Sequence, residues 1–230
     1  EQIIAGFVSG LAAIQTANGY NTNAGATVGR CLRANDPDDA PYVGVWPQIE
    51  EAQRDKFGNV TVTMPLRLEA AAAFDDNPST VAEQLLGDLI ECATAVTYTL
   101  AFTDGATEIT VGQTVTGATS AATGYVCGVS VESGTWDGGD AAGNLTLRRL
   151  AGTFAAENLK VGGDVVAITD GSLSGTYALD RMTSGLARRI DYAEGGQEDY
   201  PDLSHELTGV SALFNVEYST IAGNPYGQPA

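Results

Sequence analysis

Asn59-Val60-Thr61-Val62-Thr63-Met64-Pro65-Leu66-Arg67-Leu68-Glu69-Ala70 alternates apolar and polar side chains, and this stretch decides how the outer parts of the chain are read. Val60, Val62, Met64, Leu66, Leu68 and Ala70 fall on one face and Thr61, Thr63, Arg67 and Glu69 on the other, the period-two pattern of an antiparallel strand with one side in the core. The spacing predicts a strand over Asn59 to Ala73. Pro65 has no N–H for a ladder and so points to an edge or a bulge. A matching partner lies near the other end of the chain, where Glu206 to Tyr218 sets Val210, Ala212, Phe214, Val216 and Tyr218 on one face.

On the N-terminal side, Ile3, Phe7, Leu11 and Ile14 recur at helical spacing, widened by Ile4 and Val8. Asn18-Gly19 is expected to end that helix. Short strands follow at Ala26 to Leu32 and Tyr42 to Trp46, split by the turn-rich Asn35-Asp36-Pro37-Asp38-Asp39, and the charged stretch Gln48 to Gly58 reads as a hairpin tip. A second helix is predicted from Asn77-Pro78, where Asn suits a cap and Pro the first turn, with Val81, Leu85, Leu89 and Cys92 inward.

Near Thr97 the texture changes. Residues 97–176 hold 14 of the 28 glycines and many threonines, with short β-type runs at Tyr98 to Phe102, Gly124 to Val131, Leu145 to Leu150 and Asp164 to Ile168. This block reads as an all-β domain, a sandwich or a small barrel. Tyr177 to Ala187 has some helical character and Arg188 to Tyr192 strand character. The expectation is therefore α+β: an antiparallel sheet flanked by two helices, built from residues 1–96 and 177–230, with residues 97–176 inserted in a loop, where added length costs little entropy. The tail Gly223 to Ala230 is read as an arm.

Charge narrows the function classes. The 29 acidic against 11 basic residues give a formal net charge of −18, which disfavours nucleic-acid binding. An apolar fraction of 43% marks a folded chain, not an acidic disordered one. No eighteen-residue apolar run is present, so no membrane partner is expected, and the opening stretch lacks the basic n-region of a signal peptide. Cys31, Cys92 and Cys127 are odd in number and far apart, which suits buried thiols in a reducing cytoplasm.

Nothing gathers into a catalytic pattern. His205 is the single histidine and would have to carry any triad alone, and no serine sits in a Gly-x-Ser-x-Gly elbow. Acidic pairs such as Asp38-Asp39 and Glu50-Glu51 are expected by chance among 29 carboxylates and read as solvated charge. Asp137-Gly138-Gly139-Asp140 lacks the ligand order of a calcium loop and reads as a turn. Phosphate-binding glycine loops are absent. Arg188-Arg189, with Arg181 nearby, is too small for a nucleic-acid footprint and suits an ion pair or solvation. Trp46 and Trp136 read as core or edge residues, with sugar stacking the minor alternative. No enzyme activity, cofactor or metal is expected.

Several phrases resemble the tail-terminator, or tail-completion, family of long-tailed bacteriophages. They are Ile3-Ile4-Ala5-Gly6-Phe7-Val8 with Leu11-Ala12-Ala13-Ile14, the loop Asn18-Gly19-Tyr20-Asn21-Thr22, Gly29-Arg30 to Pro41, Tyr42-Val43-Gly44-Val45-Trp46, the helix containing Ala82 to Asp88, and Gly185-Leu186-Ala187-Arg188-Arg189-Ile190-Asp191-Tyr192. The resemblance covers about two-thirds of the chain. It implies an α+β subunit of a homohexameric ring at the head-proximal end of the tail tube, which stops tube growth and joins tail to head. The implied partners are further copies of the chain, the tail tube protein and a head-completion or stopper protein, with DNA passing through unbound. The implied location is the virion, after assembly in the host cytoplasm.

The block 97–176 departs from the family's compact form and is similar to the Gly/Thr-rich, Ig-like β modules that decorate phage proteins. Contacts to ring or tube are expected in the loops Gln48 to Gly58 and Ala193 to Glu206, with Arg54, Asp55, Lys56, Phe57, Glu194, Glu198, Asp199 and Asp202 as the candidate interface residues. The alternatives are another tail or neck component, a tube subunit or connector, and a carbohydrate-binding module suggested by the β insert and Trp136.

Overall fold

A computed structural model describes residues 1–32, 38, 40–73, 77–198 and 207–224, with the backbone alone for Glu198. In chain order the elements are α1 (Gln2–Leu11), β1 (Val28–Arg30), β2 (Tyr42–Pro47), β3 (Glu51–Arg54), β4 (Asn59–Ala73), α2 (Pro78–Thr94), β5 (Thr97–Gly105), β6 (Thr114–Gly117), β7 (Thr123–Ser133), β8 (Ala141–Ala151), β9 (Glu157–Val161), β10 (Asp164–Thr169), β11 (Leu173–Thr176), α3 (Ala178–Thr183), β12 (Ala187–Glu198) and β13 (Leu207–Ile221). The protein is α+β. It divides into two compact units, one of residues 1–16, 21–94 and 178–230, the other of residues 17–20 and 95–177.

In the first unit the sheet order is β1-β2-β4-β13-β12, with β3 also pairing with β4. The two long alternating stretches are neighbours along their whole length, from Asn59↔Ile221 to Ala73↔Leu207. The pleat therefore sends Val62, Met64, Leu66, Leu68 and Ala70 to the same side as Val210, Ala212, Phe214 and Val216, and all nine are buried. α2 packs on β4, β12 and β13, while α1 packs on α2, α3, β1 and β2. Phe7, Leu11, Leu85 and Leu89 supply the helical side of this core.

Three expectations need correction. α1 stops at Leu11, well before Asn18-Gly19, although Ile14 is fully buried. The chain tightens through Ala13 N–H to Gly10 and Ile14 N–H to Leu11, and the Ile14 carbonyl then accepts Gly25 N–H at 2.8 Å instead of a helical donor. Pro65 sits in a central strand, not an edge. β2 pairs with β4 down to Leu66 and β3 resumes only at Thr63, so Pro65 faces the break between two partner strands, where its carbonyl accepts Gln48 N–H and its missing N–H has nothing to pair with. Finally, β12 runs on to Glu198, so residues 193–198 are strand where a loop was expected. β1 pairs with β2 in parallel, a detail that alternation cannot convey.

The second unit is a strand-only body. Its order is β10-β9-β6-β7-β8-β5-β11, and β10 also meets β5 at Ile168↔Thr103, which closes the sheet into a small barrel. Leu100, Phe102, Val115, Val126, Leu145, Leu147, Phe154 and Leu159 fill it. Trp136 lies in the turn after β7, stacked on Phe102 at 5.1 Å between centroids and 6° between planes. A Cβ at Gly105 would stand 2.4 Å from that indole, so glycine is what lets the ring lie down. Residues 17–20, read from sequence as part of the outer domain, belong with this unit. There Tyr20 covers the Arg148 guanidinium at 3.8 Å and the Asn18 carbonyl accepts its Nη2 at 2.9 Å.

Candidate assembly surface

Among the described residues, the first unit leaves one side of its sheet without helices. By register, that side carries Glu51, Thr63, Pro65, Arg67 and Glu69 across β3 and β4, Ser211, Leu213, Asn215 and Glu217 on β13, and Arg189, Asp191 and Glu194 on β12. Toward the Ala71 end it is covered by a small cluster of Tyr42, Ala71 and Leu32. From Arg67 to Thr61 its side chains are only half-buried. Both arginines on this face are matched within it: Arg67 Nη2 lies 3.3 Å from Glu69 and its Nε donates to Ser211, while Arg189 lies 2.5 Å from Asp191. Glu51, Glu194 and Glu217 remain in excess, so the bare face is net acidic.

A cleft of about 560 Å³ opens on this face. Arg67, Pro65 and Leu213 line its floor, Glu194 and Gln197 one side and Gln48 the other, with Gly195-Gly196 adding no side-chain bulk. The expected site residue Glu194 is thus placed beside Arg67, Ser211 and Leu213, which sequence reading did not single out as site residues. A signal for Arg67 existed, because the alternation already assigned it to the polar face of β4.

The other expected group lies at the tip of the β3–β4 hairpin. Arg54 closes the ladder opposite Val60, and the turn is shaped by Asp55, whose carboxylate accepts Phe57 N–H at 2.8 Å, Asn59 N–H at 2.9 Å and the Asn59 side-chain amide at 3.0 Å. The side-chain hydrogen bond from Asn59 holds the Asp55 carboxyl below its ordinary value. Asp55 is therefore a turn-former, its oxygens engaged within the hairpin. Lys56 stands 5.0 Å over the Phe57 ring, and Phe57 is 80% exposed. Ile49, at the other end of β3, is 89% exposed. Large apolar side chains this bare are informative where a scattered small one would not be.

The structure does not bring the two groups together. Val60 and Arg67 are seven positions apart on one strand, roughly 23 Å at strand rise. Asp199, Asp202, His205, most of the turn at residues 35–39 and the tail beyond Asn224 lie outside the described residues, as does the side chain of Glu198.

The remaining candidates have local roles. Arg181 donates to the Cys92 carbonyl at 3.1 Å and Arg189 is paired with Asp191, as an ion-pair role expects. Asp140 accepts Thr135 N–H within the Asp137–Asp140 turn. Among the described residues, no three His, Cys, Asp or Glu side chains gather closely enough to hold a metal ion, and no helix is long and apolar enough to cross a membrane. Glu50 was read as solvated charge; its carboxylate also bears on Tyr218, whose hydroxyl is pushed up to about 12 by burial first and then by Glu50.

No protein-family model matches the chain, and no curated protein matches it.

Proposed function

We propose that this chain is a non-enzymatic structural subunit of a long-tailed bacteriophage particle, a tail-terminator protein that closes into a hexameric ring on the finished tail tube. One observation supports the reading most: a sheet whose bare face has its arginines matched by carboxylates and keeps an acidic excess. The part of that face left outside subunit contacts repels passing DNA instead of holding it, because like charges face each other across a narrow channel. With six copies at −18 each the whole ring repels the phosphate backbone. The partners on this reading are the tube protein on one side of the ring and a head-completion or stopper protein on the other, in a virion assembled in the host cytoplasm.

The rival structural reading, a tube subunit or connector, differs in stoichiometry. Counting copies per purified particle by quantitative mass spectrometry tests it. Six copies are expected; many tens would assign the chain to the tube instead. The carbohydrate-binding alternative loses support from the Trp136 geometry, since one face of that indole is already spent on Phe102.

A further inference from the structure

We infer that the tip of the β3–β4 hairpin of one copy docks into the Glu194 cleft of a second copy, so that the chain associates with itself head to tail. The inference rests on the self-assembly proposed above and names its contact. In the first unit, Arg54 and Lys56 have no ion pair among the described residues, and they stand two positions apart at the hairpin tip. Asp55 between them turns its charge inward onto Phe57 and Asn59 N–H groups. The tip therefore presents two cations and one bare aromatic ring.

The cleft offers the complement. Glu194 is exposed on its side with no ion pair among the described residues, and Pro65 and Leu213 are half-buried apolar surfaces on its floor. Arg67, which would oppose an incoming cation, is matched by Glu69. A volume of about 560 Å³ takes the few side chains of a hairpin tip. Phe57 leaving water supplies the attraction, and the exposed charges set register and direction, because surface ion pairs contribute little by themselves. Tip and cleft are distinct patches too far apart to meet within one chain, so the contact is heterologous and, when its rotation closes, generates a ring.

The test is a cross-link between two populations, both in a Cys31→Ser background because Cys31, expected to be buried, is an exposed free thiol. Chains of all 230 residues carrying Lys56→Cys are mixed with chains carrying Glu194→Cys under mild oxidation. A disulfide-linked product joining one of each, at least tenfold above that from either variant alone, is expected. In a second arm, Arg54→Glu with Lys56→Glu weakens association at least tenfold by analytical ultracentrifugation, and adding Glu194→Lys restores most of it. Oligomers that form without the mixed cross-link overturn this inference and leave the ring reading standing. A wild-type chain that stays monomeric at every concentration overturns both. Each cross-linking variant changes an exposed position, so that arm decides even if the multiply charged variants fold poorly.

Discussion

Asp88 and Glu157 are single carboxylates that each gather a loop. Asp88, fully buried on α2, accepts Asn21 N–H at 3.1 Å and its side-chain amide at 2.8 Å, and Thr22 N–H and O–H at 2.8 Å each. Asp88→Ala strands four donors and is expected to lower stability by roughly 3 kcal/mol, read as a lower urea midpoint at unchanged slope. Glu157 accepts Thr119 N–H and O–H, Ser120 N–H and O–H, and Ala155 N–H. The Ser120 and Thr119 hydroxyls hold its carboxyl far below the ordinary 4.5. A group depressed in the folded state favours folding while ionised, so its contribution is full above the ordinary value and fades as pH falls below it. Melting temperature should therefore fall between pH 5 and pH 2, less steeply in Glu157→Gln, which also melts lower at pH 7. Equal slopes would remove Glu157 from that account. Neither anchor was legible in the sequence as an anchor. Among 29 carboxylates, burial of one depends on donors 66 or 67 residues away for Asp88 and 37 or 38 away for Glu157, and no local pattern marks such pairs.

At the scale of elements, what could be read was whatever alternates or repeats along a single strand or helix. β4 is Asn59–Ala73, as its alternation predicts, and the β-rich texture from Thr97 to Thr176 spans β5 to β11. What escaped reading depends on partners. α1 ends early because the Gly25 segment takes a carbonyl that helix would have used, and Pro65 is tolerated centrally because the neighbouring strand is broken opposite it. Residues 193–198 lack an apolar alternation since, among the described residues, β12 has only β13 beside it. The hairpin carries few core contacts, its four β3 residues all being exposed. Replacing Asp55–Asn59 by a two-residue Asn-Gly turn, which keeps Arg54 opposite Val60, is expected to leave the melting temperature within about 3 °C, since surface changes away from packed features cost little. Self-association should be lost in the same variant. A large drop in melting temperature would mean that the hairpin serves the fold.

As a whole molecule, the chain combines a one-sided sheet and a closed barrel. The barrel hides its strands from edge pairing by closing on itself, whereas among the described residues the sheet keeps a bare acidic face and an unpaired β12 edge. The alternation of β4 and β13 foretold one apolar and one polar face; the pairs Arg67–Glu69 and Arg189–Asp191 each join positions two apart on one strand, whereas the Arg67–Ser211 bond takes cross-strand register. The claim on which the account turns is that identical copies bury surface against one another and perform no chemistry. Electron microscopy of the purified 230-residue chain at physiological salt, with its mass taken by light scattering, measures this most directly. A closed six-fold ring of six 23.7-kDa copies is the predicted result. A stable single copy at every concentration tested would contradict it.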